Sequence, residues 1–127
     1  MIRIKLNNKS YNVNVDDLQR SFEVADNDSS GRLQNWKMHR DVAGTFYNYT
    51  LKVSQKDFDV KAYDDFYNAI SSPVESQVLE VPYGQGVLVF DAYISKGKDS
   101  LKNSNGYLNI WDGLTINFIA MEPQRRS

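Results

Sequence analysis

Apolar and polar side chains alternate with a period of two residues over much of the chain. In an extended segment every second side chain lies on the same face, so this pattern is typical of half-buried β-strands. The clearest example is the run of Tyr47, Tyr49, Leu51 and Val53, which alternate with polar residues. Residues 114–120 repeat the pattern near the end of the chain. The sequence therefore predicts a sheet with one buried face.

Two hairpins are predicted where turn residues separate alternating segments. Residues 2–6 and 11–15 flank Asn7-Asn8-Lys9, and residues 78–83 and 87–95 flank Gly84-Gln85-Gly86. Asn and Gly favour the backbone conformations of tight turns. Residues 26–37 and 96–105 are rich in polar and small side chains, which predicts two surface loops.

One segment follows a helical period instead. Tyr63, Phe66, Tyr67 and Ile70 recur at the spacing that aligns side chains along one stripe of a helix. Asp57 or Asp59 can cap its start, and the proline of Ser72-Pro73 marks its end. The prediction is an amphipathic helix over about residues 58–71. The order of strands, one helix and more strands favours an α+β, mainly β fold, an antiparallel β-sandwich or barrel.

Length and composition fit a single domain over residues 1–127 with a frayed C-terminal segment, 123–127. Fifteen basic residues against sixteen acidic ones leave a formal charge of −1, which provides no broad positive field for nucleic acid or anionic lipid. The N-terminus lacks the apolar core of a secretory signal, and no segment approaches the roughly 20 apolar residues that span a bilayer. We expect no nucleic-acid or membrane partner.

The inventory of reactive side chains argues against catalysis. Cysteine is absent, which excludes disulfides, thiolate nucleophiles and zinc–sulfur sites. His39 is the sole histidine, so one chain cannot build a histidine triad or a two-histidine metal site. Carboxylates are plentiful, but no spacing singles out a pair, and Asp64-Asp65 is interpreted as solvated helix surface. We expect a protein without enzymatic activity or cofactor.

Residues 26–31 partly match a calcium-binding loop. Asp26, Asp28 and Ser30 occupy the first, third and fifth positions, and Gly31 occupies the sixth. Position twelve is Lys37, where a bidentate glutamate should complete the coordination. These three residues are weak calcium-site candidates, and a polar turn is the favoured interpretation.

Two tryptophans and the single histidine are candidates for contact with other proteins. Trp36 and Trp111 each lie beside polar, loop-like sequence, and tryptophan is enriched at protein interfaces. His39 lies close to Trp36 along the chain and is interpreted as an interfacial or surface side chain. The alternative is a carbohydrate- or peptide-binding module that uses exposed aromatic side chains.

Residues 35–123 carry a family resemblance. It rests on Gly44-Thr45-Phe46-Tyr47-Asn48-Tyr49-Thr50-Leu51, on Tyr63-Asp64-Asp65-Phe66-Tyr67 and Ile70-Ser71-Ser72-Pro73-Val74, and on Val81-Pro82-Tyr83 and Trp111-Asp112-Gly113-Leu114-Thr115-Ile116-Asn117-Phe118. Together these segments resemble small tail- or baseplate-associated proteins of phages and prophages of Gram-positive bacteria.

The resemblance implies a structural protein of the virion and supplies no catalytic residue. Its expected partners are other phage tail proteins and further copies of the chain, arranged in an oligomer that can close into a ring. The expected location is the host cytoplasm during assembly and the virion afterwards.

Overall fold

The computed structural model describes residues 2–27, 31–32 and 37–127. Along these residues the elements are β1 (Lys5–Leu6), β2 (Val13–Asp26), β3 (Gly31–Arg32), β4 (Met38–His39), β5 (Val42–Gln55), α1 (Val60–Ile70), β6 (Gln77–Tyr83), β7 (Gly86–Ser104), β8 (Asn109–Ala120) and β9 (Arg125–Arg126). The part of the chain that is described contains no helix long and apolar enough to cross a membrane.

One antiparallel sheet organises the molecule. Its strands follow the order β1-β6-β7-β8-β5-β2, with β9 paired to β5, while β3 and β4 form a separate two-stranded sheet. The predicted hairpin between residues 78–83 and 87–95 is present as the β6–β7 pair. The fold is α+β and mainly β, as the alternation and the single helical stripe predict.

The sheet curls into a half-barrel. β5 and β6 are separated by two strands in the sheet, yet the Tyr49 hydroxyl of β5 donates a hydrogen bond of 3.0 Å to the Pro82 carbonyl of β6. The rings of Tyr47 and Tyr83 also meet, edge to face, with centroids 5.2 Å apart. Contacts between strands so far apart require the sheet to wrap around a concave face.

The core fills part of this concave face. Buried side chains alternate along the central strands, as Tyr49, Leu51 and Val53 do on β5, and α1 covers them with Tyr63, Phe66 and Ile70. Leu6 of β1 is also buried, and the Tyr11 ring packs edge-on against Phe66. Burying each large apolar side chain stabilises the fold by roughly 1.5–3 kcal/mol.

The helix is shorter than the predicted range of residues 58–71. Asp57 and Phe58 adopt left-handed backbone angles, with φ of +52° and +57°, so neither can belong to the helix. Asp59 is the N-cap, and its Oδ1 accepts a hydrogen bond of 3.0 Å from the Ala62 amide. The Asn12 side chain donates to the other carboxylate oxygen, and these two bonds, that from Asn12 first, lower the pKa of Asp59.

The predicted turn at Asn7-Asn8-Lys9 is present, since Leu6 and Lys9 form an antiparallel bridge, but the predicted hairpin pairing of residues 2–6 with 11–15 is wrong. Residues 5–6 pair with β6, whereas β2 pairs with β5, at the other edge of the sheet. The side-chain Oδ1 of Asn7 accepts a hydrogen bond from the Val78 amide at 2.9 Å. The Asn7 amide in turn donates to the Val78 carbonyl at 2.7 Å. Asn7 thereby continues the pairing with β6, and it also opens a tight turn with Asn8, across which Leu6 and Lys9 exchange two backbone hydrogen bonds of 2.9 and 3.0 Å.

The C-terminal segment, for which composition predicts fraying, packs against β5. β9 pairs with Gly44 and Thr45, and the Gln124 side chain forms two hydrogen bonds with the Tyr47 backbone. Gly44 is required here, because a Cβ at this position would lie 2.6 Å from the Arg125 carbonyl oxygen. This packing holds Arg125 beside Tyr47.

Candidate protein-interaction site

Residues 100–112 form a two-stranded projection, which we call the arm. β8 pairs with β5 only from Leu114 to Phe118, whereas its pairing with β7 continues outward to Ser104 and Asn109. The arm therefore extends beyond the sheet, and each of its two strands has the other as its strand partner. A two-stranded ribbon without a third strand or a covering helix is marginally stable alone.

The arm replaces the surface loop predicted at residues 96–105, and that prediction is wrong. The polar composition hid a turn signal, since Asn105-Gly106 between two extended segments is typical of a hairpin. Asn105 Oδ1 accepts from the amides of Tyr107 and Leu108, and Gly106 has a φ of +86°. The local chemistry of the turn thus closes the arm without help from a core.

Hydrogen bonds fix the base of the arm to the body. The buried Tyr63 hydroxyl of α1 donates to Asp99 at 3.0 Å. Gln55 at the end of β5 donates through Nε2 to the Trp111 carbonyl and through its amide to Asp112. Burial, followed by the bond to Asp99, raises the pKa of Tyr63 far above its usual value. Tyr63 therefore stays protonated and able to donate.

Four large apolar side chains along the arm are exposed. Tyr107 at the tip is 98% exposed, and Leu101, Leu108 and Trp111 are 48%, 44% and 37% exposed. Single apolar residues on a surface are ordinary, but four on one thin projection form a patch suited to contact with a partner. Trp111, a candidate interface residue by sequence, lies in this patch.

The arm borders two cavities. One, of about 410 Å³, is lined by Phe58 and by arm residues that include Lys102, Asn103 and Ile110. The other, of about 270 Å³, is lined by Asp64, Tyr67, Asp99 and Trp111, between α1 and the arm. The exposed Asp64 thus lines a cavity together with a second carboxylate and two aromatic rings. The sequence does not predict this cavity.

Phe58 adds an aromatic side chain beside the arm. It is 92% exposed, although its backbone and that of Asp57 hold left-handed angles that cost non-glycine residues free energy. Phe58 therefore presents an almost fully exposed ring at the cavity beside the arm. The sequence contains no signal for this backbone conformation.

The other sequence-derived candidates do not join this patch. His39 is exposed on β4, in the small β3–β4 sheet, and its partner across the strands is Gly31. Trp36, Asp28 and Ser30 lie outside the described residues. Asp26 forms an ion pair with Arg40, with 2.7 Å between the Arg40 guanidinium and Asp26 Oδ1. No group of three acidic or histidine side chains that could hold a metal occurs among residues 2–27, 31–32 and 37–127.

A second surface lies at the open end of the concave face, beyond the part that α1 covers. We call it the mouth, a cavity of about 540 Å³ lined by Arg20, Ser21, Phe22, Val24, Thr45, Tyr47, Tyr83 and Arg125. Arg20 and Phe22 lie opposite Tyr49 and Tyr47 across the β2–β5 pair, so they share the inward face of the sheet. Phe22 is nevertheless 71% exposed.

The mouth is electropositive. Arg20 lies over the Tyr83 ring, with its guanidinium carbon 5.4 Å from the ring centroid. Hydrogen bonds from Tyr83 and then from Arg125 lower the pKa of Tyr47, while the pKa of Tyr83, the donor, is raised. Neither Arg20 nor Arg125 forms an ion pair with a carboxylate of the described residues. Two uncompensated guanidinium groups therefore face one cavity.

No protein-family model matches the chain, and no curated protein matches it significantly.

Proposed function

We propose that this domain is a non-enzymatic structural and assembly protein of a phage or prophage tail. It acts through protein–protein contacts made by the arm, with other tail proteins and with further copies of itself. The observation that carries the proposal is the row of four exposed apolar side chains on a hairpin that projects beyond its sheet. The assignment to a tail rests on the sequence resemblance described above.

Leaving the apolar side chains of the arm in water costs free energy. Covering Leu101, Tyr107, Leu108 and Trp111 against a partner would remove apolar area from solvent at roughly 25 cal/mol per Å². The bonds of Tyr63 and Gln55 hold the base of the arm in place, which lowers the ordering cost on association. A fixed projection that inserts into a different surface of its neighbour forms a head-to-tail contact, and such contacts close into rings when the rotation permits.

Co-expression with candidate tail proteins tests the proposal. The chain is expressed with the proteins encoded beside its gene, and complexes are recovered through a tag on this chain. We expect co-purification that the Tyr107→Ser/Leu108→Ser variant loses. The matched control is Val87→Ser/Val89→Ser, which removes two apolar side chains that are 66% and 54% exposed on β7 outside the arm. Equal recovery by the two variants, or by neither variant nor wild type, would contradict the proposal.

The cavity between α1 and the arm favours a second candidate function, carbohydrate binding. Trp111 and Tyr67 provide aromatic faces on which a sugar ring can stack, and Asp64 and Asp99 provide oxygens that accept hydrogen bonds from its hydroxyls. A Trp36→Phe background leaves Trp111 as the sole tryptophan fluorophore. A saturable change in its fluorescence on titration with bacterial cell-wall oligosaccharides, lost in Tyr67→Ala, would support this candidate. Unchanged fluorescence across the series would exclude it.

A further inference from the structure

We infer that the mouth and the free edge of β2 together form a docking site for an extended peptide segment that carries an acidic side chain. The segment would add to the sheet as a strand beside β2. One side chain would enter the mouth between apolar neighbours and place its carboxylate against Arg20 and Arg125. This surface is separate from the arm, so the inference can be tested independently of the proposed function.

β2 has one edge that no other described strand covers. Among the described residues β2 is the last strand of the sheet and pairs with β5 alone, through 13 of its 14 residues, with register shifts between Val15 and Asp17 and between Ala25 and Asp26. An edge strand directs every second pair of backbone N–H and C=O groups away from its neighbour, where they can pair with another chain. Within the described residues, Arg40 bonds one such carbonyl, that of Val24, at 3.1 Å. β2 contains neither proline nor glycine to interrupt an added strand.

Basic and apolar side chains lie beside that edge. Arg20, Phe22 and Val24 alternate along the inward face of β2, and all three are exposed. An added strand would place its own inward side chains next to them, at about 4.5–5.5 Å between Cβ atoms. Phe22 and Val24 then favour apolar side chains, while Arg20 favours a carboxylate.

A second arginine adds positive charge to the mouth. Arg125 lines the same cavity from β9, which lies on the other side of β5 from β2, and its side chain forms a hydrogen bond with Tyr47. Arginine pairs well with carboxylates because its planar group offers several donors. The two arginines also argue against pairing of β2 with a second β2, since an antiparallel arrangement centred near residue 20 would bring like charges together.

Backbone amide shifts measured by NMR on the isotope-labelled chain test the inference. The probe is the blocked heptapeptide Thr-Val-Thr-Glu-Thr-Val-Thr, and the comparison peptide has lysine in place of glutamate. We expect the glutamate peptide to shift amides of β2 and of the mouth and to bind at least tenfold more tightly. The difference should shrink as salt is added, because the arginines are exposed.

Charge reversal decides the origin of the preference. In Arg20→Glu/Arg125→Glu the lysine peptide should bind more tightly, whereas the control Lys52→Glu, on an exposed position of β5, should leave the preference unchanged. Equal binding of both peptides, or no shifts in β2 at millimolar peptide, would overturn the inference. It would also be overturned if Arg20→Ala, which removes the like-charge repulsion, made the protein dimerise through β2, because Arg20 would then only protect the edge. Normal peptide binding by Tyr107→Ser/Leu108→Ser would confirm that the arm is not involved.

Discussion

The inward face of the sheet has two regions that differ sharply over a few residues of the same strands. Beneath α1, Leu51 and Val53 of β5 are completely buried. At the mouth, the same face carries Arg20, Phe22 and Tyr47, which meet water. A period of two shows which side chains share a face, but the cover above that face decides whether they become core.

The largest expected effect comes from adding a charge to each region. Leu51→Asp should prevent folding, because an unpaired carboxylate in the core has no solvent and no partner. Phe22→Asp lies on the same face but is exposed, so its free energy of unfolding should stay within about 0.5 kcal/mol of wild type. Urea denaturation followed by circular dichroism measures both. Similar destabilisation by the two substitutions would mean that the mouth is covered in solution.

Loss of one tyrosine hydroxyl should separate the base of the arm from the rest of the core. Tyr63→Phe removes the bond to Asp99, and a hydrogen bond to a charged group contributes roughly 1.5–3 kcal/mol. Tyr49→Phe removes a bond to the Pro82 carbonyl, for which roughly 0.5–1.5 kcal/mol is typical. Only Tyr63→Phe should accelerate hydrogen exchange of the amides at residues 99–112. Faster exchange in both variants would argue against a specific anchor.

Alkaline pH should distinguish the buried tyrosine from its exposed counterparts. The raised pKa of Tyr63 in the folded state means that its contribution to stability is complete below the unfolded value of about 10. Above that pH the unfolded chain releases the proton and the folded chain retains it, so the free energy of unfolding should fall. Tyr63→Phe should fall less steeply between pH 10 and 12. Parallel curves for the variant and wild type would contradict this assignment.

The smallest expected effect concerns Tyr47 in the mouth. Its lowered pKa places it among the first tyrosines to ionise when absorbance near 295 nm is followed with increasing pH. Arg125→Leu removes a hydrogen-bond donor and a positive charge, so the early part of the titration should move to higher pH. Arg126→Leu is the control, because Arg126 pairs with Glu122 instead. Identical titrations for the two variants would show that Arg125 does not act on Tyr47.

Sequence patterns predict the architecture where local chemistry and packing agree. The strands around Tyr49 and Leu114 and the helix around Phe66 follow from periodicity, because each has one face beneath a cover. The turn at Asn7-Asn8 forms as its residues predict, but the hairpin pairing beyond it fails, because Asn7 pairs with Val78, 71 positions away, and β2 pairs with β5, and no local signal encodes those choices. Trp111 stays a predicted interface residue, since a tryptophan in polar surroundings suggests an interface and the structure places it partly exposed on the arm.

The rest of the candidate surfaces depends on tertiary structure. Arg20 and Arg125 are more than 100 positions apart and line one cavity because the C-terminal segment returns to β5. Phe58 acquires its exposure from an unusual backbone conformation, which composition does not reveal. The arm had a readable signal in Asn105-Gly106, but its polar flanks favoured a loop.

Sedimentation velocity over a range of concentrations tests most directly whether the arm is an assembly surface. We expect the wild-type chain to self-associate as its concentration rises. The variant Tyr107→Ser/Leu108→Ser should remain monomeric with an unchanged free energy of unfolding. Val87→Ser/Val89→Ser should behave as wild type. A wild-type protein that stays monomeric at every concentration, or an arm variant that associates equally well, would contradict the claim that the arm joins one copy to the next.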